Sequence, residues 1–139
     1  MPTPRIPQKI MARQHEIVAD YRRAIDQHLA DIVAGRATEM LEVRDIAAQL
    51  CVHPTHLSNT LRLVTGHPPC HYFEARIMDH ARHLLTESAR PAAAIAADLT
   101  YDPSNFTKFF KRFQGCTPKQ YREAVWARQR AEKTEALTI

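Results

Sequence analysis

The chain has 139 residues, 45% of them hydrophobic but only 7% aromatic, with 3 glycines and a formal net charge of +4. That length holds one core or two small lobes and leaves no room within the chain for a further effector-sensing domain of ordinary size. Scarce glycine and a core of alanine and aliphatic side chains favour an all-α fold. No run of 18 apolar residues occurs, and the N-terminus carries Pro2, Pro4 and Pro7 rather than an apolar stretch. Neither a membrane span nor a signal peptide fits, and a cytoplasmic, nucleoid-associated protein is expected. The charge is uneven: residues 1–103 hold 11 Lys/Arg against 12 Asp/Glu, residues 104–139 hold 8 against 3. A basic C-terminal quarter suits a local polyanion contact, and on charge alone equally a solvated basic face. Cys51, Cys70 and Cys116 are odd in number and lack CxxC spacing, which argues against a disulfide framework. They are expected as buried thiols.

Residues 1–35 read as an N-terminal extension and one long helix. From Gln8 to Ala34 there is no proline, Gly35 follows, and Ile17, Val18, Tyr21, Ile25, Leu29, Ile32 and Val33 form a helical stripe. Met11, Val18, Ile25 and Ile32 lie seven apart, as in a dimer seam. Gln14 and His28 occupy the partner positions, however, so packing within the monomer is the better expectation.

Residues 36–68 make a first lobe. A short helix carries Ile46, Ala47 and Leu50 on one face, Cys51-Val52-His53 break the pattern, and Pro54 suits the first turn of a second helix over about 54–65. Leu57, Leu61 and Val64 give that helix an apolar stripe, and Gly66 ends it. Two short helices joined by so tight a turn form a helix-turn-helix. Residues 69–86 then read as a linker helix, with Tyr72, Phe73, Ile77, Ala81, Leu84 and Leu85 on one side.

Residues 87–130 repeat the first lobe in the same register. A shift of 49 residues lays Ile46-Ala47-Ala48-Gln49-Leu50 on Ile95-Ala96-Ala97-Asp98-Leu99, Pro54 on Pro103, Leu57 on Phe106, Leu61 on Phe110, Gly66 on Gly115 and Pro69 on Pro118. The second helix of this copy, about 103–114, carries Phe106, Phe110 and Phe113 with Phe109 as an extra, and Asp102 is a better N-cap than His53. A closing helix follows Pro118 with Tyr121, Val125 and Trp126 inward, and residues 131–139 are expected as a frayed tail. The whole is an all-α fold of about seven helices, two tandem helix-turn-helix lobes joined by a linker helix.

A plain helical hairpin is the commoner use of this pattern, and the outer faces tip the balance. Thr55, His56, Ser58, Asn59 and Arg62 in the first copy, and Ser104, Asn105, Thr107 and Lys108 in the second, are side chains that read base edges, with Asn59 suited to adenine and Lys108 to guanine. Lys111, Arg112, Lys119 and Arg122 suit phosphates. Neither face carries an acidic residue after its cap. Histidines near cysteines (Cys51, His53, His56; His67, Cys70, His71) lack paired zinc-ligand spacing, so no metal or cofactor is expected, and a metal-responsive factor ranks low. No phosphate loop, nucleophile elbow or HExxH motif supports an enzyme. A protein-binding module derived from a DNA-binding domain is the competing class.

Val43-Arg44-Asp45-Ile46-Ala47, His53-Pro54-Thr55-His56-Leu57-Ser58, Arg76 with Ala81-Arg82-His83-Leu84-Leu85, and the run from Phe106 to Arg122 together resemble the AraC/XylS family of bacterial transcription regulators. The resemblance covers about residues 36–125. It implies a regulator of double-stranded DNA, often an activator that contacts RNA polymerase, with two recognition helices on a rigid spacer entering successive major grooves of an asymmetric site. Two departures stand out. The family's usual Gly-aromatic pair in the second turn is Thr100-Tyr101 here, followed only by Asp102-Pro103, so this turn is a residue shorter and matches the first copy. A sensing or dimerisation domain, which many members carry, has no place in this length, so the chain reads either as a free-standing short regulator or as the C-terminal domain of a longer one.

Overall fold

The structure, a computed structural model, describes residues 8–137; the proline-rich start and the last two residues of the expected tail lie outside that range. Seven helices and no strand occur among the described residues: α1 (Gln8–Val33), α2 (Val43–Gln49), α3 (Pro54–Thr65), α4 (Pro69–Glu87), α5 (Ala92–Asp98), α6 (Pro103–Gln114) and α7 (Pro118–Leu137). The chain divides into two compact units, one up to Arg76 and one from Ile77. The boundary falls inside α4, so the expected spacer helix contributes half its length to each unit.

In the first unit α1 packs on α2 and α3, and its stripe is buried together with Ile46 and Ala47 of α2 and Leu57 and Leu61 of α3, while Phe73 of α4 meets the His28 ring edge-on. Burying each large aliphatic chain of this set contributes about 1.5–3 kcal/mol. Of the possible dimer seam, Val18, Ile25 and Ile32 are 4%, 0% and 2% exposed and only Met11 is open, so the stripe is used up within the monomer. Polar ties fix α4 to α1. The buried Tyr21 hydroxyl donates to the Pro69 carbonyl at 2.7 Å, and Asp26 accepts from the Tyr72 hydroxyl at 3.1 Å and from Arg76 Nε at 2.8 Å. Burial, and to a lesser degree Cys70, pushes the Tyr21 phenol well above its ordinary range. His28, read as a seam position, is buried, and its Nε2 accepts from the Leu41 backbone N–H at 3.0 Å.

In the second unit the buried residues are Ile77, Met78, Ala81 and Leu85 of α4, Ile95 and Ala96 of α5 with Leu99 just after it, Phe106, Phe109 and Phe110 of α6, and Val125 of α7. Tyr101 stacks on Phe109 with ring centroids 5.3 Å apart. Phe113, expected in this stripe, is 42% exposed, because it lies in the last turn of α6 beyond the reach of the core. α7 runs to Leu137, past the point at 131 where fraying was expected, although its last two turns are solvent-exposed. The run Arg128-Gln129-Arg130-Ala131-Glu132-Lys133 is built of good helix formers, which carry the helix on without packing.

Both turns close in one way. Val52 N–H donates to Ala47 O at 3.0 Å and Cys51 N–H to Ala48 O at 3.1 Å; Tyr101 N–H donates to Ala96 O at 2.8 Å and Thr100 N–H to Ala97 O at 3.0 Å. This is the Schellman pattern, which demands a left-handed residue just past the helix end. Cys51 (φ 56°) and Thr100 (φ 64°) fill it. Their side chains therefore leave the core, and the thiols expected to be buried are not: Cys51 and Cys70 are exposed and Cys116 half-buried.

A side chain in this conformation costs roughly 1–2 kcal/mol that glycine avoids, set against glycine's greater entropy loss on folding. Cys51→Gly and Thr100→Gly should each therefore raise the unfolding free energy by about 0.5–1 kcal/mol in denaturant titration, Thr100→Gly the more because threonine is β-branched. A loss of stability in both would contradict this account of the turns. Burial, opposed only in part by the nearby Asp31 carboxylate, lowers the His28 imidazole below its ordinary value. The unfolded chain thus binds this proton more readily, and the stability His28 contributes is complete above about pH 6.5 and lost as pH falls through the lower folded value. Compared with His28→Phe, the wild type should lose stability between about pH 7.5 and pH 5. Parallel stability curves for the two proteins would refute the assignment.

Candidate nucleic-acid interface

α3 and α6 are built alike. Each begins with proline in its first turn after an extended cap residue: His53 at φ −63°, ψ 138° and Asp102 at φ −62°, ψ 138°. Asp102 accepts from the Ser104 and Asn105 N–H groups at 3.1 and 3.3 Å, whereas His53 accepts only from Thr55 N–H, through Nδ1 at 3.1 Å. The poorer cap expected of histidine is thus one bond against two. Left-handed Gly66 (φ 79°) and Gly115 (φ 86°) end the helices. The shortened second turn has the cap geometry of the first.

At about 100° per residue, Leu57 and Leu61 turn one side of α3 inward and leave Thr55, Asn59 and Arg62 on the opposite side. Phe106 and Phe110 do the same for α6 and leave Ser104, Lys108 and Lys111 outward. Thr55, His56, Asn59, Arg62, Ser104, Asn105, Thr107, Lys108, Lys111, Arg112 and Lys119 are all exposed, and Ser58 is half-buried. Within each unit the candidates share a face. Among the described residues, Arg62, Lys108, Lys111 and Lys119 form no ion pair. The Arg112 guanidinium lies 4.9 Å from the centroid of the Phe113 ring, which restrains it beside Lys111.

Two of the candidates have partners within the chain. Arg122 Nε donates to the Leu85 carbonyl at 2.9 Å and a terminal nitrogen donates to the Ser88 carbonyl at 3.1 Å. Its guanidinium also lies 5.1 Å from the centroid of the Trp126 ring, while Trp126 Nε1 donates to the Thr86 carbonyl at 3.0 Å. These are the unsatisfied carbonyls at the end of α4, so Arg122 is a structural clamp there. The Thr107 hydroxyl donates to the Pro103 carbonyl of its own helix at 3.0 Å, which leaves only its lone pairs and methyl for a partner. The N-terminus of α7 is squared by a reciprocal cap, Thr117 N–H to Gln120 Oε1 at 3.0 Å and Gln120 N–H to Thr117 Oγ1 at 3.2 Å, which presents Lys119 to solvent.

Leu63 escaped the sequence reading. It is 57% exposed on α3, one turn after Asn59 and outside the Leu57–Leu61–Val64 stripe. That break in periodicity was the available signal. An exposed leucine there can meet a thymine methyl.

No helix among the described residues is long and apolar enough to cross a membrane. The family described as a helix-turn-helix domain matches residues 46–124. An uncharacterized HTH-type transcriptional regulator of Bacillus subtilis, YisR, is 30% identical over 88 residues, which make up 63% of this chain and 31% of that protein. The chain spans about a third of the length of the curated relatives it matches. Among solved structures, the C-terminal domain of AraT, a response regulator from Geobacillus stearothermophilus, superposes with a TM-score of 0.68 at 28% identity, over 78% of this chain and 84% of that one. The DNA-binding domain of AdpA, a global transcriptional factor solved with a target DNA, gives 0.60 at 26% identity, over 73% and 95%. With two helix-turn-helix units, their paired turns and these relatives, the chain belongs to the AraC-type helix-turn-helix family of DNA-binding transcription regulators.

Proposed function

We propose that this chain binds double-stranded DNA sequence-specifically as a monomer, with α3 and α6 entering successive major grooves of a non-palindromic site. The observation that carries the reading is a contrast within each unit. The buried skeletons of the two copies correspond, while the exposed positions diverge: Thr55 against Ser104, His56 against Asn105, Asn59 against Lys108 and Arg62 against Lys111. Two readers of unlike half-sites require this combination, whereas a two-fold dimer would impose a palindrome. A relative's DNA-binding domain solved in complex with a target DNA supports DNA as the partner.

In this reading Asn59 pairs with adenine, Lys108 contacts guanine, and Leu63 packs on a thymine methyl, while Thr55, His56, Ser58, Arg62, Ser104, Asn105 and Thr107 complete the base-reading surface. Lys111, Arg112 and Lys119 hold phosphates. Effector control, contact with RNA polymerase and action in the cytoplasm extend the same reading through the family resemblance, and no residue is assigned to them.

Asn59→Ala and Lys108→Ala should each relax preference at different base pairs, by about 1–3 kcal/mol of discrimination where the contact is well formed. If both variants keep the wild-type preference at every position, the readers lie elsewhere. Affinity should fall steeply with salt, with a slope of about −0.9 in log–log form for each phosphate neutralised. Lys119→Ala should make that slope shallower by about one contact and weaken all sequences alike. Arg122→Gln should leave the slope unchanged and lower stability instead by about 1–3 kcal/mol, from lost charge-assisted bonds to the α4 carbonyls. A shallower slope with unchanged stability would return Arg122 to the phosphate contacts.

A further inference from the structure

Within the first unit a cavity of about 440 Å³ opens between α1, the end of α3 and the start of α4. Its polar lining is entirely basic or neutral: Arg22 and His15 from α1, with His67 and His71 where the chain enters α4. Leu61 and Val64 form an apolar floor, and no carboxylate lines it. The Arg22 guanidinium lies 5.4 Å from the centroid of the Tyr72 ring and forms no ion pair among the described residues. Asp26, one turn after Arg22 on α1, is already held by Tyr72 and Arg76. The His67 and His71 rings stack with centroids 3.8 Å apart and planes 15° from parallel, which places their ring edges together.

The two copies differ at the last residue before the glycine that ends the second helix. In the second copy Gln114 accepts from Arg82 Nε at 2.7 Å. The matching residue in the first copy is Thr65, shorter, with its hydroxyl turned back to the Leu61 carbonyl at 2.6 Å. Arg22 is left facing the cavity without an acceptor of its own.

We propose that this cavity binds a small organic anion, a carboxylate or a phosphate ester with an apolar body. Arg22 holds the anionic group through its guanidinium fork, the imidazole N–H groups of His15, His67 and His71 supply further donors, and Leu61 and Val64 pack against the body. The volume suits a ligand of that size. Leu61 and Val64 lie on the side of α3 away from Asn59 and Arg62, so the ligand sits behind the proposed reading helix and does not compete with DNA for it.

The test uses the full chain without DNA, so its outcome is independent of the proposed DNA-binding mode. Phenyl phosphate, benzoate and uncharged benzyl alcohol are titrated in turn while the imidazole resonances of His15, His67 and His71 and the Thr65 amide are followed by NMR. Saturable shifts with one or both anions and none with the alcohol are expected, and which anion binds identifies the headgroup. Arg22→Gln, an exposed substitution, should weaken that binding at least about tenfold with the remaining spectrum unchanged. No saturable shift with either anion, an equal response to benzyl alcohol, or unaltered binding by Arg22→Gln would overturn the proposal.

Discussion

The structure depends on a helix that stops, turns and restarts within four residues, twice. Each stop requires a left-handed residue, each restart a proline with a polar cap before it, and both copies meet these demands with imperfect chemistry: Cys51 and Thr100 where glycine is favoured, His53 where aspartate serves better. The turn survives because the hydrogen bonds and the core on either side over-determine it. In the first unit Ile46, Ala47, Leu57 and Leu61 are all buried, and in the second Ile95, Ala96, Phe106 and Phe110 are. Packing of this kind outweighs a strain of about 1–2 kcal/mol. The same turn fixes which side of the second helix faces inward, and therefore which polar residues are presented to solvent.

α4 carries the second constraint. Its first half is tied into one unit by Tyr21, Tyr72 and Arg76, through Pro69 and Asp26. The end of its second half is closed by Arg122 and Trp126, which satisfy carbonyls that a helix terminus leaves open. Each half is thus anchored by contacts inside its own unit. Arg122, which by sequence suits a phosphate, is bonded to these carbonyls, and its removal is expected to be felt as a loss of stability.

Much of this was legible in the sequence because it follows from periodicity and punctuation. The 49-residue repeat, Pro54 and Pro103 at helix starts and Gly66 and Gly115 at helix ends mark α3 and α6 at their observed limits. The long α1 stripe was equally clear. What escaped depends on where a side chain finds its partner. Arg122 and Lys119 look alike in sequence, and only the nearby carbonyls of Leu85 and Ser88 separate them. The cysteines look like small buried hydrophobes, but a left-handed turn position sends Cys51 outward. Phe113 matches the stripe by spacing and fails by lying at the end of its helix, while Leu63 breaks the stripe and is exposed for that reason. His67 and His71, weighed by sequence as zinc ligands, acquire another meaning once Arg22 is seen lining the same cavity.

The central claim is that one chain carries two unlike readers on one repeated scaffold. Selection of the purified protein against a pool of random duplexes, with the mass of the resulting complex measured on the selected site, tests it most directly. The account predicts enrichment of a non-palindromic site with two dissimilar conserved segments about one helical turn apart, bound by a single chain. An inverted repeat bound by two chains, or no enrichment over the starting pool, would contradict it.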